Sequence, residues 1–288
     1  MIFLQQLITS VSIGGIYALL AVGYALIYSV FDFTNFAFGA VMMVSAFAGY
    51  FTQLGLGTVP ALITAVAAGV LLSVLTELTA YRPMRKKSAS RLFLMISAMG
   101  VNIFVTNLFL CLFGANLRTL PTGFASDTIS IEGVQIGTVD MFALIASLIS
   151  LLLWLFLYKT RAGITVRASA IDTATAGLMG INVNRVSLIV FVISGITAGI
   201  AGLFFGMKYT VYPAMGSIST KAFIASVIGG LGSLPGAVLG GFILGVLETL
   251  VSGYISATYR DLFSFLAMIL VLMFMPNGLM GKGSQDKL

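Results

Sequence analysis

Histidine is absent from the chain, cysteine and tryptophan occur once each, and charged side chains make up 8% of its 288 residues. Without histidine there is no Ser-His or Cys-His catalysis, and the commonest metal ligand is missing. Cys111, alone in an apolar run, cannot form an internal disulfide and reads as a buried structural thiol. The sequence offers neither an acid–base pair nor a cluster with metal-ligand spacing. An enzyme is therefore the weakest reading, and neither metal nor cofactor is expected. Basic residues do not interleave with aromatics, which argues against nucleic acid as a partner.

What remains is oily. Hydrophobic residues are 59% of the chain and its mean hydropathy is +1.09, whereas a soluble domain carries about 25% charged residues. The composition defines an all-α, polytopic integral membrane protein, read as a single transmembrane domain over 1–288. A crossing helix needs about 20 apolar residues. Hydropathy places spans near 7–30, 34–54, 59–80, 92–113, 138–158, 186–208 and 259–276. The stretch 220–252 is also apolar but is interrupted by "GGLGSLPG" at 229–236. Counting it once or twice gives eight or nine, and about 8–10 transmembrane helices are expected. No basic region precedes the first run, which reads as a retained span.

The few charges set the orientation. Arg82, Arg85, Lys86, Lys87 and Arg91 cluster in 81–91, and Lys159, Arg161, Arg167 and Arg185 in 159–185. Both segments are expected to be cytoplasmic by the positive-inside rule, with 114–140 outside. Parity then places the N-terminus outside and favours nine crossings, with 220–252 crossing twice.

Two apolar regions are interrupted: "YSVFDFTNFAFGAVMM" at 28–43 and the glycine-rich stretch. Paired interruptions suggest an internal repeat with broken helices beside a midplane pathway. Gly232, Gly236 and Gly240 fall four apart, as do Gly241 with Gly245 and Gly195 with Gly199, a spacing that lets backbones approach closely. Asn35, Asn102 and Thr106 join these glycines as pathway or packing candidates. Asp32 and Glu248 are placed near span ends, and Glu77 is close enough in sequence to Arg82 for an interfacial pair.

The segment 160–185, "TRAGITVRASAIDTATAGLMGINVNR", is too polar to cross. Ile164, Ala168, Ile171, Thr175 and Leu178 recur at helical spacing, with Arg167 and Asp172 elsewhere on the wheel. Gly163 is expected as a flexible start and Gly180 as the C-terminal stop. The pattern predicts one amphipathic helix that docks in a partner's groove or lies on lipid; its polar face is poor in Lys and Arg, which weakens the lipid option.

These motifs resemble the H-type permease subunits of branched-chain amino-acid ABC transporters. The resemblance rests on "GGIYALLAVGYALIYSV" at 14–30, "YRPMR" at 81–85, "LMISAMGVNIFVTN" at 94–107, "VRASAIDTATAGLMGINVNRV" at 166–186, "KAFIASVIGGLGSLPGAVLGGFILGVLE" at 221–248 and "MPNGLMG" at 275–281. It implies a permease in the bacterial plasma membrane that imports leucine, isoleucine or valine. Its implied partners are two cytoplasmic ATP-binding cassette ATPases, a second related permease and an extracytoplasmic solute-binding protein. The segment 160–185 becomes the ATPase-coupling segment, with Gly163, Arg167, Ala168, Asp172 and Gly180 as its candidate residues. "GLMGKGS" at 278–284 does not satisfy G-x-x-x-x-G-K-[ST], in keeping with ATP hydrolysis by partners. One departure stands out: where the family is expected to read N-F-A-H-G-E, this chain has "NFAFGA", with Phe38 and Ala40 replacing polar residues. That leaves open the same permease class carrying an amide or urea. An ion- or proton-coupled secondary transporter, working alone, is the alternative of a different class.

Overall fold

The first helix, α1 (Ile2–Phe31), is apolar around its whole circumference, and the bundle is built round it. Within its span Gln5–Phe31, 94% of the most apolar window is buried, as expected of a helix with no polar face. The structure is a computed structural model describing residues 2–87, 89–120, 128–131, 134–137 and 159–281, with 141, 143, 145, 148, 149, 152 and 155–157 between them.

After α1 come α2 (Phe38–Leu56), α3 (Thr58–Thr76), a π-helical turn (Glu77–Tyr81), the short α4 (Arg82–Lys86) and α5 (Arg91–Phe113). A small hairpin, β1 (Thr128–Ile131) with β2 (Val134–Gly137), lies in the loop after α5. The described positions from 141 to 157 are helical and fall on the expected 138–158 span. Then follow α6 (Arg161–Ile171), α7 (Thr173–Leu178), α8 (Val183–Lys208), a 3₁₀ turn (Pro213–Ile218), α9 (Ser219–Gly229), α10 (Leu234–Tyr254) and α11 (Arg260–Phe274).

Seven helices among the described residues are long and apolar enough to cross a bilayer: Gln5–Phe31, Phe38–Leu56, Thr58–Lys86, Arg91–Phe113, Val183–Lys208, Leu234–Tyr254 and Ala257–Phe274. The glycine-rich stretch is two helices. Gly230 and Gly232 take φ of +110° and +81°, which glycine tolerates and other residues rarely adopt. Ser233 then caps α10, its hydroxyl accepting from the Gly236 N–H, with Pro235 in the first turn. The 11 residues of α9 reach only about 16 Å at 1.5 Å per residue, short of the roughly 30 Å apolar core.

Glycine contacts give the directions. Gly229 meets Gly236, and Gly240 meets Ala225, so α9 and α10 run antiparallel. Gly241 lies on Ala18 and Gly245 on Gly14, so α10 also runs antiparallel to α1. The break at 230–233 lies beside Ser29, near the end of α1. Asp32, just beyond α1, pairs with Arg91 at 3.1 Å. Both interruptions and the basic segment 81–91 therefore share one end of the bundle.

The tail 275–281 returns to the same place. Leu279 and Met280 donate their N–H groups to the carbonyls of Ile228 and Gly229, both at 2.9 Å. Those carbonyls end α9, and the "MPNGLMG" segment supplies the donors that the broken helix lacks.

The 28–43 interruption is a loop between helices, as the separate spans 7–30 and 34–54 anticipate: α1 ends at Phe31 and α2 begins at Phe38. Two sequence expectations are corrected. Cys111 is exposed on α5. Glu77 pairs with Arg85, not Arg82. The π turn lies at the same place: Pro83 has no N–H for the Thr79 carbonyl, and the helix widens so that Arg82 N–H bonds the Glu77 carbonyl.

Candidate functional site

Four helices converge on one buried carboxylate. Glu248 of α10 is fully buried, and Tyr17 of α1 donates its hydroxyl to Oε2 at 2.8 Å. Lys221 of α9 donates to Oε1 at 2.6 Å, and Ser264 of α11 donates to the same oxygen at 2.7 Å. Lys221 also donates to Asp261 at 2.6 Å. A lone carboxylate in a bilayer is costly; paired and hydrogen-bonded as here it is tolerable, and it locks α1, α9, α10 and α11 in register. Glu248 is thus enclosed by the bundle, toward the end of it where α9 and α11 begin, in keeping with the sequence expectation of a place near a span end. Nothing local announces this, since its partners lie as far as 231 residues away.

A cavity of about 390 Å³ opens beside the cluster, with Lys221, Arg260 and Asp261 among its lining residues. It lies toward the C-terminal end of α10. That end is opposite the break and Arg91, because α10 runs antiparallel to α1.

The other end carries the segment 160–185. Arg85 spans the half-buried interface there, donating to Glu77 Oε2 at 2.9 Å and to Ser187 Oγ at 2.9 Å. Ser187 lies in the first turns of α8, so α6 and α7, which lead into it, sit at the Arg85 end.

The predicted single helix over this segment is two. Asp172 is extended, with φ of −154°, and its carbonyl starts α7 through Ala176 N–H. The Thr175 hydroxyl donates to its carboxylate. Gly163 is not a flexible start: a Cβ there would lie 1.7 Å from the Leu157 carbonyl oxygen, so it is buried against the turn that precedes α6. Thr160 caps α6 instead, accepting from Gly163 N–H. Gly180 has φ of +85° and the Ile181 N–H returns to the Ala176 carbonyl, a left-handed helix end.

Burial divides the segment into two faces. Gly163, Val166, Ser169 and Ala176 are buried, whereas Ile164, Ile171, Leu178 and Met179 are 54%, 75%, 89% and 81% exposed. Arg167 and Ala168 are half-buried between them.

The remaining candidates do not assemble into one site. Asn35 is buried, and its Oδ1 accepts from Tyr81 Oη at 2.6 Å and Ala37 N–H at 3.1 Å, a structural role at the loop between α1 and α2. Asn102 Oδ1, buried in α5, has no hydrogen-bond partner among the described residues. Thr106 lies one turn on and half-buried. Gly236 and Gly240 sit at the α9–α10 crossing, where an added Cβ would lie 2.2 Å and 2.0 Å from backbone oxygens. Gly232 does not belong with them; it is a positive-φ turn residue, and a Cβ added there would lie 3.5 Å from Ser29 Cα. Phe38 and Ala40 are both buried, with Phe38 edge-on to Tyr24 at 6.2 Å.

A helical bundle with a broken membrane helix, an internal charge cluster and a polar helix pair at one end defines a membrane permease component. The chain belongs to the family of branched-chain amino acid transport system permease components, whose sequence model matches residues 6–272. It is 37% identical to the high-affinity branched-chain amino acid transport system permease protein LivH of Salmonella typhimurium, across 99% of this chain and 97% of that one. To the corresponding protein BraD of Pseudomonas aeruginosa it is 34% identical, across 99% and 98%. The structure of PsaBC from Streptococcus pneumoniae in complex with Fab superposes with a TM-score of 0.54 at 16% identity, covering 95% of this chain and 91% of that chain. At that identity the likeness concerns the fold alone.

Proposed function

We propose that the chain is the pathway-forming subunit of an ATP-driven importer of branched-chain amino acids in a bacterial plasma membrane. In this reading two cytoplasmic ATPases bind it, a second related permease completes the pathway, and an extracytoplasmic binding protein delivers leucine, isoleucine or valine. The observation that carries the reading is the exposed row Ile171, Leu178 and Met179, on α6, on α7 and in the turn after it. These residues lie outside the membrane spans and at the basic end of the bundle. Apolar surface costs about 25 cal/mol per Å² in water, so a row held there on two ordered helices is read as a surface for a partner. A carrier working alone would have no use for it. The family's own description as one component of a transport system supports a multi-subunit assembly.

The test is uptake and co-purification from the native membrane. Cells lacking the chain should lose high-affinity uptake of L-leucine, L-isoleucine and L-valine, and the tagged chain should bring down ATPase subunits. Unchanged uptake of all three, or purification without an ATPase, would overturn the proposal.

A further inference from the structure

Arg260, the first residue of α11, has a guanidinium with unused capacity. It donates to the neutral hydroxyls of Tyr209 at 3.4 Å and Ser252 at 3.0 Å. Its Nε is buried without a hydrogen-bond partner among the described residues. No carboxylate among those residues pairs with it, since Glu248 and Asp261 are both held by Lys221. The residue also lines two cavities at once: the one of about 390 Å³ beside Lys221, and a second of about 340 Å³ walled by Gln6, Thr9, Thr249 and Ser252. A guanidinium presents its N–H groups as a planar fork, the geometry that matches a carboxylate.

The opposite charge is next door. Asp261 gives one oxygen to Lys221, while its side chain remains 72% exposed. Across the cavity stand Phe205, Tyr212 and Ile218, with Phe205 and Ile218 each only 8% exposed. The four charges Lys221, Arg260, Glu248 and Asp261 sum to zero, so the site favours a solute that is neutral overall but carries one charge of each sign. The volume is at the lower end for small-molecule pockets, which run from about 300 Å³.

From this geometry we infer that the cavity between α1, α8, α9 and α11 is a binding site for an α-amino acid with an apolar side chain. The carboxylate lies on Arg260, the ammonium group on Asp261, and the side chain on Phe205 and Ile218. The inference rests on the amino-acid reading above and deepens it: selection is made inside the permease as well as by whatever delivers the solute. Lys221 and Glu248 hold the frame and are not ligands. The site lies at the end of the bundle opposite the coupling segment, where solute would enter.

The purified permease complex, without any binding protein, is titrated with L-leucine and followed by saturation-transfer NMR. Two analogues each keep one charge: L-leucinamide has the ammonium and no carboxylate, and 4-methylpentanoate has the carboxylate and no ammonium. Saturable leucine binding is expected in the parent, weakened about tenfold or more in Arg260→Gln, the loss expected for a charge-assisted pair. Leucinamide should be affected less than twofold by that change. Asp261→Asn should show the converse, weakening leucine and leucinamide while sparing 4-methylpentanoate. A misfolded variant would lose all three ligands alike, so Arg260→Lys, which keeps the charge and loses the fork, is run beside it and should retain part of the leucine affinity. Parent protein that binds no leucine, or variants that bind it like the parent, would overturn the site. If cells still take up leucine through this chain while the site fails, the function survives; if uptake also fails, both fall.

Discussion

Tyr17 and Glu248 are 231 positions apart in the chain and 2.8 Å apart in the bundle, hydroxyl to carboxylate, both fully or almost fully buried. The contact ties the central helix to the second half of the broken one. Removing the carboxylate leaves the Lys221 ammonium, only 17% exposed, with Asp261 alone. Glu248→Leu should therefore cost about 3–5 kcal/mol, as breaking a buried pair does. Tyr17→Phe removes one bond to a charged group and should cost about 1.5–3 kcal/mol. Thermal unfolding in detergent should rank parent, Tyr17→Phe and Glu248→Leu in that order; parental melting of Glu248→Leu would show that the cluster adds no stability.

The glycine positions separate two mechanisms. At Gly240 an added Cβ lies 2.0 Å from the Ala225 oxygen and 2.8 Å from the Gly229 nitrogen, both backbone atoms. Since neither can rotate away, Gly240→Ala must part α9 from α10, at about 1–3 kcal/mol. Gly232→Ala meets Ser29 and Tyr28 only at ordinary contact distances, but at a φ of +81°, and should cost about 1–2 kcal/mol of backbone strain. Gly100→Ala, with nothing within 4 Å, should melt like the parent or slightly above it. Melting curves and transport rates of the three variants decide; a Gly240→Ala protein that matches Gly100→Ala would mean the helices are not in contact there.

For the coupling surface, the informative positions are Ile171 and Leu178 rather than the half-buried Ala168. A glutamate at Leu178, 89% exposed in the free chain, disturbs no internal packing. Loss of an apolar anchor at an interface costs about 2 kcal/mol, roughly 30-fold in affinity. Leu178→Glu should insert and melt normally yet lose ATPase co-purification and solute-stimulated ATP hydrolysis. Full stimulation in that variant would reject the docking role.

Orientation is tested by cysteine labelling in a Cys111→Ala background, because Cys111 is itself exposed. Leu117, 68% exposed in the loop after α5, should react as cysteine with an impermeant maleimide on intact cells. Cysteines at Lys87 and Thr175, both exposed, should react only after permeabilisation. Labelling of Thr175 from outside would invert the molecule.

Much of the fold is written in local terms. The break at 230–233 follows from glycine, serine and proline, whose backbone demands need no knowledge of the rest of the chain. The same holds for the stop at Gly180. The exposed row of 160–185 was visible as a helical period, although the kink at Asp172 was not: an aspartate in a helical pattern gives no sign of turning extended. The charge cluster was illegible, because Lys221, Asp261 and Ser264 become meaningful only when placed beside Glu248.

By itself, then, the amino-acid order determined the membrane class, the spans, the interrupted helix and the shared end of its basic segments. Each of these depends on hydrophobicity summed over about 20 residues, on where Lys and Arg fall between the spans, or on one residue's φ. Only the tertiary structure decided that Cys111 faces outward, that Glu77 chooses Arg85, that Gly240 packs while Gly232 turns, and that among the described residues Arg260 is left with a donor to spare. The reason is the solvent. Lipid is as apolar as a neighbouring helix, so a membrane helix has no hydrophobic stripe to announce which side meets protein. That choice is made by small residues and polar groups finding partners across long separations in the chain, and it is settled only once the helices are packed.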